Sequence, residues 1–297
     1  MPIIRDLEAL TPAVLEVMAQ TREPRLREIM ESLVRHLHGF VRETGLTEEE
    51  FRAATAILNT MGQQTTDSHN EFVLMAGSLG VSSLVCLQNN GDGGTTETTQ
   101  SLLGPFWRLN HPETEQGASI VRSSTPGPAM FVEFAFTDAE GAPVEGLEVD
   151  VWHASPVGLY ENQDADQAPY NLRGKFRTGT DGMVHFRSVR PIGYPIPTDT
   201  TVGRLLEVQG RHPMRPAHVH VLAFKEGFKT LISQIYVDDT EWLSTDVQFG
   251  VTEALIGKLE RHEGPHPEAD GPGEWFSLTH RFVLQKGEAR LPVPPIK

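Results

Sequence analysis

The chain has 297 residues, with 40 acidic against 25 basic side chains and a net charge of −15, spread so evenly that positions 1–100 carry 7 basic and 14 acidic residues and the remainder 18 and 26. No basic stripe offers a footprint for nucleic acid or an anionic membrane, and no apolar run approaches the roughly 20 residues of a membrane span. A hydrophobic fraction of 38% suits a folded chain, the opening Met-Pro-Ile-Ile-Arg-Asp lacks a signal peptide's apolar core, and the single cysteine, Cys86, permits neither a disulfide nor a cysteine zinc site, so a soluble, cytoplasmic protein with Cys86 buried and inert is expected.

The first hundred residues read as helices. Thr11-Pro12 places proline in a first turn and predicts a short helix over about 12–20. In Glu23–Thr44, Leu26, Ile29, Met30, Leu33, Val34, Leu37 and Val41 recur at steps of three or four, one face of a helix that Gly45 stops. Thr47-Glu48-Glu49-Glu50 is a capping box for a helix reaching about Gln64. Asp67 or Ser68 can cap another, Asn70–Leu87. Asn89–Thr96, rich in Gly, Asn and Thr, reads as a linker; it has neither the spacing nor the preceding strand of a phosphate loop.

Beyond residue 100 the texture changes to short β-rich runs separated by Gly, Pro, Asp and Asn. These are Phe131–Phe136, Leu147–Trp152, Gly182–Val189, His218–Phe224 and Thr230–Val237, with Asp246–Leu259 read as helical. The expected fold is mainly β: a helical region over 1–100, then a C-terminal β-sandwich over 101–297.

Most of the twelve histidines read as structural, His153 and His185 among them; His262 and His266 are separated by Gly264-Pro265, which prevents a helical pair. His218 and His220 differ. Two apart in a strand, they project from one face, and paired imidazoles favour a transition metal over calcium or magnesium. No HxD or HxE pattern accompanies them, and the carboxylates at Asp164, Asp166, Asp238 and Asp239 read as solvated loops. Tyr160 and Tyr194 each follow a glycine turn ahead of the pair. A phenolate is a hard anionic ligand with an ordinary pKa near ~10, and it binds at neutral pH only to a strongly polarising ion such as ferric iron.

Asp150-Val-Trp-His-Ala154, Gly158-Leu-Tyr-Glu-Asn-Gln163, Asn171-Leu-Arg-Gly174, Arg190-Pro-Ile-Gly-Tyr194, Arg215-Pro-Ala-His-Val-His220 and Leu103-Gly-Pro-Phe-Trp107 occur in the order found in the intradiol ring-cleaving dioxygenases. The chain resembles that family over about residues 50–297. Tyr194-Pro-Ile-Pro-Thr-Asp199 and Asp246-Val-Gln-Phe-Gly250 resemble its hydroxyquinol-cleaving branch.

The resemblance implies one non-haem Fe(III) per subunit held by Tyr160 and His218 (equatorial) and Tyr194 and His220 (axial). Tyr194 would leave the metal to take a proton from the diol, Arg215 would stabilise developing charge, and Gln234 would lie near the ring. It also implies ring opening by O2 to a cis,cis-muconic acid, and a homodimer through the N-terminal helices with a phospholipid at the interface. Leu74, Gly77, Leu103, Gly104, Pro105, Phe106, Ile196, Pro197 and Gln248 would wall the substrate pocket. The branch tends to have an acid where Gly77 stands and a small apolar residue where Gln248 stands. Tyr170 and Tyr236 match no ligand position and read as packing and strand residues. The implied substrate is hydroxyquinol or an analogue, with catechol or chlorocatechol as the alternative. A zinc hydrolase, pairing the histidines with a glutamate, and a non-catalytic binding sandwich are the readings outside the class.

Overall fold

The structure is a computed structural model in which residues 3–66, 69–90, 98–237, 241–265 and 273–295 are described. The chain divides into two compact units, Met1–Thr60 and Met61–Lys297.

In the first unit, helix α1 (Leu7–Met18) starts earlier than Pro12 predicts, because the Asp6 carboxylate caps it by accepting from the Ala9 N–H at 2.8 Å. Pro12 sits inside the helix, past the first turn, where its missing N–H forfeits one backbone bond. Helix α2 (Pro24–Thr44) begins on proline and ends at Gly45, whose φ of +61° is the left-handed conformation glycine supplies without strain. Its stripe of Leu26, Ile29, Leu33, Leu37 and Val41 is 44–53% exposed. The capping box opening α3 (Glu48–Gln64) forms as read: the Thr47 N–H donates to Glu50 Oε2 at 2.9 Å, and the Glu50 N–H to Thr47 Oγ1 at 3.3 Å.

The apolar run predicted as one helix over 70–87 is two, α4 (Glu71–Ser78) and α5 (Val81–Asn90), bent by 77° at Gly80, where φ is +73°. Asn70 caps α4 through the Val73 N–H; Asp67, Ser68 and the predicted linker residues Gly91–Thr96 lie outside the described residues, as do Asp238, Asp239 and His266. Among the described residues no single helix is long and apolar enough to cross a membrane. Cys86 is half-buried, and burial raises its thiol pKa, so it is no activated nucleophile.

The β-rich part contains β1 (Ala129–Asp138), β2 (Glu148–Trp152), β3 (Arg173–Arg177), β4 (Met183–Val189), β5 (Tyr194–Pro195), α6 (Thr201–Val208), β6 (Met214–Arg215), β7 (His218–Phe224), β8 (Leu231–Val237), β9 (Ile256–Glu263) and β10 (Glu274–Leu284). Eight strands run in the order β3-β2-β7-β8-β9-β10-β1-β4. The join between the halves is thin: β8 and β9 pair only through Tyr236–Ile256 and Val237–Gly257. The halves β3-β2-β7-β8 and β9-β10-β1-β4 contribute to one core, in which Phe134, Phe136, Val149, Val151, Val221 and Phe282 are wholly buried. This is the expected sandwich.

The predicted helix over 246–259 does not form. Asp246 accepts from the backbone N–H groups of Gln248 and Gly250, and Phe249 takes φ +52°, so the segment is a tight loop leading into a 3₁₀ turn (Glu253–Leu255) and β9. A side chain offering its own backbone such partners competes with the helix. Strands β3, β9 and β10 and helix α6 escaped the sequence reading.

Candidate functional site

The four residues singled out as ligands meet. His218 and His220 project from β7, and in its register His220 stands between Trp152 of β2 and Gln234 of β8, with His218 opposite Tyr236. Tyr160 opens the 3₁₀ turn Glu161–Gln163, its N–H donating to Gln163 Oε1. Tyr194 lies on the two-residue strand β5, paired with Arg215 of β6. Consecutive donor atoms are 3.1–3.3 Å apart around a closed ring: Tyr160 Oη, Tyr194 Oη, His218 Nε2, His220 Nε2 and back to Tyr160 Oη. All four residues are at most 9% exposed, Tyr194 the most open.

The ring is electrostatically incomplete by itself. His218 Nδ1 donates to the Pro216 carbonyl at 2.8 Å, which leaves its Nε2 as a bare lone pair. His220 Nε2 faces it at 3.2 Å, and the two hydroxyls bring two protons to four contacts. Burial holds both imidazoles neutral, His218 down to about 3 and His220 well below its ordinary value. Burial likewise pushes both phenols up, Tyr160 further through its neighbour Tyr194. Four lone-pair donors crowded around one point are a set that could hold a cation. Their spacing suits one as well, since cis donors each ~2.1 Å from an ion are roughly 3 Å apart. Among the described residues no cluster of three or more His, Cys, Asp or Glu converges anywhere, so no carboxylate completes the histidine pair; phenols do.

Behind the ring stands a buried cation. Arg215 donates from Nε to Asp246 Oδ1 at 3.2 Å, and from Nη2 to Gln234 Oε1 at 2.9 Å, Tyr236 Oη at 3.1 Å and Asp246 Oδ2 at 3.3 Å. Nη1 is left 3.5 Å from His218 Nε2. Burial opposes the charge, but Asp246 and the flanking phenols hold the Arg215 pKa above its ordinary value. Burial also opposes the Asp246 charge, and Arg215 wins, keeping that carboxyl below its usual range. Gln234 is committed to holding this cation: besides accepting from Arg215 and from Tyr236 Oη, it donates from Nε2 to the Leu102 carbonyl at 2.6 Å.

The wall residues sort into three groups. Gly104 approaches the ring most closely: a Cβ there would lie 3.1 Å from His220 Cε1. Phe106 lies against Tyr160, ring centroids 4.5 Å apart, and Leu103 packs on the same apolar cluster. Ile196 and Leu74 pack with Val247 in a separate buried cluster, where Gly77 and Gln248 touch across from α4. Pro105 and Pro197 are exposed. No hydrogen bond or ring contact joins Leu74, Gly77, Pro105, Pro197 or Gln248 to the four donors.

Three contributors were missed by sequence reasoning. Asp246 reads as helical in the sequence, Tyr236 reads only as the strand residue it is, with no sign of its bond to Arg215, and Trp152 stacks flat on His220. For Trp152 the signal existed, since its alternation in β2 puts it on the face of the histidine pair. Tyr170, with φ +61°, carries the Arg108 guanidinium 4.3 Å over its ring and is a packing residue as expected. His153 is bonded to Ser188 Oγ and the Ala154 carbonyl, the structural role expected of it.

Comparison with known proteins gives the family. Residues 102–286 match the family described as "Dioxygenase", and residues 23–95 match "Catechol dioxygenase N terminus". The chain is 39% identical over 284 residues to a hydroxyquinol 1,2-dioxygenase of Rhizobium sp. (strain MTP-10005), covering 94% of this chain and 95% of that protein. It is 38% identical to a 6-chlorohydroxyquinol 1,2-dioxygenase of Cupriavidus pinatubonensis, covering 94% and 97%. The crystal structure of hydroxyquinol 1,2-dioxygenase from Pseudomonas putida DLL-E4 superposes with a TM-score of 0.87 at 33% identity, covering 94% of this chain and 98% of that one.

Proposed function

The chain belongs to the intradiol ring-cleaving dioxygenases, and from that premise we propose that it opens hydroxyquinol (1,2,4-trihydroxybenzene), or a substituted analogue, between adjacent hydroxylated carbons with O2. The product on this reading is 3-hydroxy-cis,cis-muconate or its keto form, maleylacetate. The observation that carries the reading is the ring of two phenols and two imidazoles with 3.1–3.3 Å edges, backed by a fixed guanidinium.

Tyr160, Tyr194, His218 and His220 would hold one ferric ion. Two buried phenols whose pKa values burial has raised give up their protons only to a strongly polarising cation, which favours ferric iron over zinc. Bound there, such an ion supplies Lewis-acid polarisation of the diol and a template for its meeting with O2.

The chain's own residues then divide the work. Tyr194, the most accessible of the four and mounted on a two-residue strand, is the phenol positioned to take a proton from an incoming diol. Tyr160 is tied into its turn and stays. Arg215 Nη1 faces the reacting centre with a charge that costs no reorganisation, and Gln234, Tyr236 and Asp246 keep it there. Helices within residues 1–100 join two copies through the exposed stripe of α2, with a phospholipid held at that interface, while residues 101–297 carry the chemistry.

The test is oxygen uptake by purified protein with hydroxyquinol, catechol and chlorinated catechols compared side by side, together with iron analysis. The expected result is one iron per chain, a visible tyrosinate charge-transfer band and fastest turnover of hydroxyquinol. A colourless protein that consumes no O2 with any of the diols overturns the proposal.

A further inference from the structure

The motif Asn171-Leu-Arg-Gly174 supplies no donor to the ring, yet its arginine is 1% exposed, among the most deeply buried large side chains of the protein. Arg173 opens β3 opposite Trp152, which in turn faces His220 and, beyond it, Gln234, so the four stand in one row across the sheet. Each of its three nitrogens donates: Nε to Glu161 Oε2 at 2.7 Å, Nη1 to the Phe106 carbonyl at 2.7 Å and Nη2 to Asn162 Oδ1 at 3.3 Å. Nη1 also lies 3.4 Å from His111 Nε2, and Arg108 Nη1 holds the other Glu161 oxygen at 3.3 Å. The backbone is strained to deliver this arginine. Tyr170 and Leu172, neither of them glycine, take φ of +61° and +58°, and such strain persists only where the surroundings over-determine it.

These partners belong to the two segments that clasp Tyr160. Glu161 and Asn162 form the turn that Tyr160 opens, and Phe106 lies against the Tyr160 ring, with Gly104 two residues before it beside His220. Tyr194 has nothing equivalent, since its neighbours Gly193 and Pro195 carry no side chain that a cation could fasten. We propose that Arg173 is a positioning residue for Tyr160: its fork ties the Tyr160 turn to the Phe106 segment, so that this phenol is held in place while Tyr194 is free to leave. This deepens the reading of the four donors given above and rests on it. The role is geometric as well as electrostatic. A lysine supplies a charge for Glu161 but not donors fixed in one plane, so it cannot span the turn and the segment together.

The test is ferric-iron affinity, read on metal-free protein by competition with chelators graded in strength so that weakened binding is still measured. Wild type, Arg173→Lys, Tyr160→Phe and Arg173→Lys/Tyr160→Phe are compared, with unfolding midpoints of the metal-free proteins alongside. In the wild-type background Arg173→Lys is expected to lower affinity roughly 10- to 100-fold, the scale of losing a residue that orients a ligand. In the Tyr160→Phe background the same change should alter affinity by no more than about twofold, because the oxygen through which it acts is gone. Arg173→Gln/Glu161→Gln, which withdraws both charges together, replaces Arg173→Lys in the cycle should the latter not fold, with the same expectation. A loss that is equal in both backgrounds is a general loosening of the fold and overturns the role of Arg173, as does a variant that binds iron like the wild type. A wild type that binds no ferric iron overturns the donor reading beneath it.

Discussion

Trp152 and His220, register partners across β2 and β7, lie ring on ring with centroids 4.6 Å apart and planes 7° from parallel. Histidines that bind metals ordinarily have the second nitrogen oriented by a hydrogen bond. His218 does, through the Pro216 carbonyl, but His220 Nδ1 is buried without a partner among the described residues. The indole face therefore sets the plane of His220. Trp152→Leu is expected to cost roughly 3 kcal/mol or more of stability, the scale of truncating a buried tryptophan, and to lower the iron retained through purification. Trp152→Phe, which keeps an aromatic face, should recover most of the iron. Thermal unfolding and iron analysis of the two variants check this.

Removal of one phenol tests the donor ring directly. Tyr160→Phe keeps the ring packed against Phe106 and deletes only the oxygen that contacts Tyr194 and His220. Substitutions merely adjacent to a metal weaken its binding 10- to 100-fold, so loss of a ligand should leave less than about a tenth of the iron. The visible absorption band and O2 uptake should fall with it, while the far-ultraviolet circular dichroism is unchanged.

The Arg215–Asp246 pair separates stability from chemistry. Both side chains are buried and share two hydrogen bonds. Asp246→Asn leaves a buried guanidinium without its counter-charge and is expected to destabilise by roughly 3–5 kcal/mol. Arg215→Met/Asp246→Leu, which removes the pair together, should recover most of that stability. Its kcat should nevertheless stay depressed by roughly 10²-fold or more, since a fixed charge at the reacting centre is gone. Denaturant midpoints and steady-state kinetics on the same samples distinguish the two effects.

Acid sensitivity should originate partly in His153. Burial holds its pKa down to about 4, against an ordinary value of 6.5. Between those values the unfolded chain binds the proton and the folded chain does not, so stability is full above pH 6.5 and declines as pH falls towards 4. The loss is about 3 kcal/mol at ~1.4 kcal/mol per unit. Asp150, raised to about 6 by burial, acts with the opposite sign over an overlapping window, so the informative quantity is the difference between proteins. The wild type should lose stability relative to His153→Gln as pH falls from 6.5 to 4, read as the difference between the two unfolding midpoints at each pH.

The legibility of these features in sequence follows their range along the chain. The α2 stripe with its Gly45 stop and the Thr47–Glu50 capping box are local patterns, and they formed as read. His-x-His was legible because a strand's period of two places both rings on one face. The tyrosines became interpretable through the order of motifs, since their meeting depends on two turns and a two-residue strand whose geometry no local propensity encodes. Asp246 was misassigned because the residues around it have helical composition; its commitment to Arg215, 31 positions away, decided the conformation instead. Strands β9 and β10 escape notice through their charged and polar edges, and the apolar run over 70–87 hides its bend because Gly77, which α4 runs through, and Gly80, where the chain turns, look alike in sequence.

The four clustered donors stand on the sandwich sheet and its turns, whereas Gly77 and Gln248, which would wall the proposed pocket, come from a short helix and a separate loop. Inheritance can act on these two parts at different speeds. On the proposed function, drift in such a wall would re-tune which ring is accepted while the donor ring stays as it is. Families built this way diversify their diet while conserving their reaction.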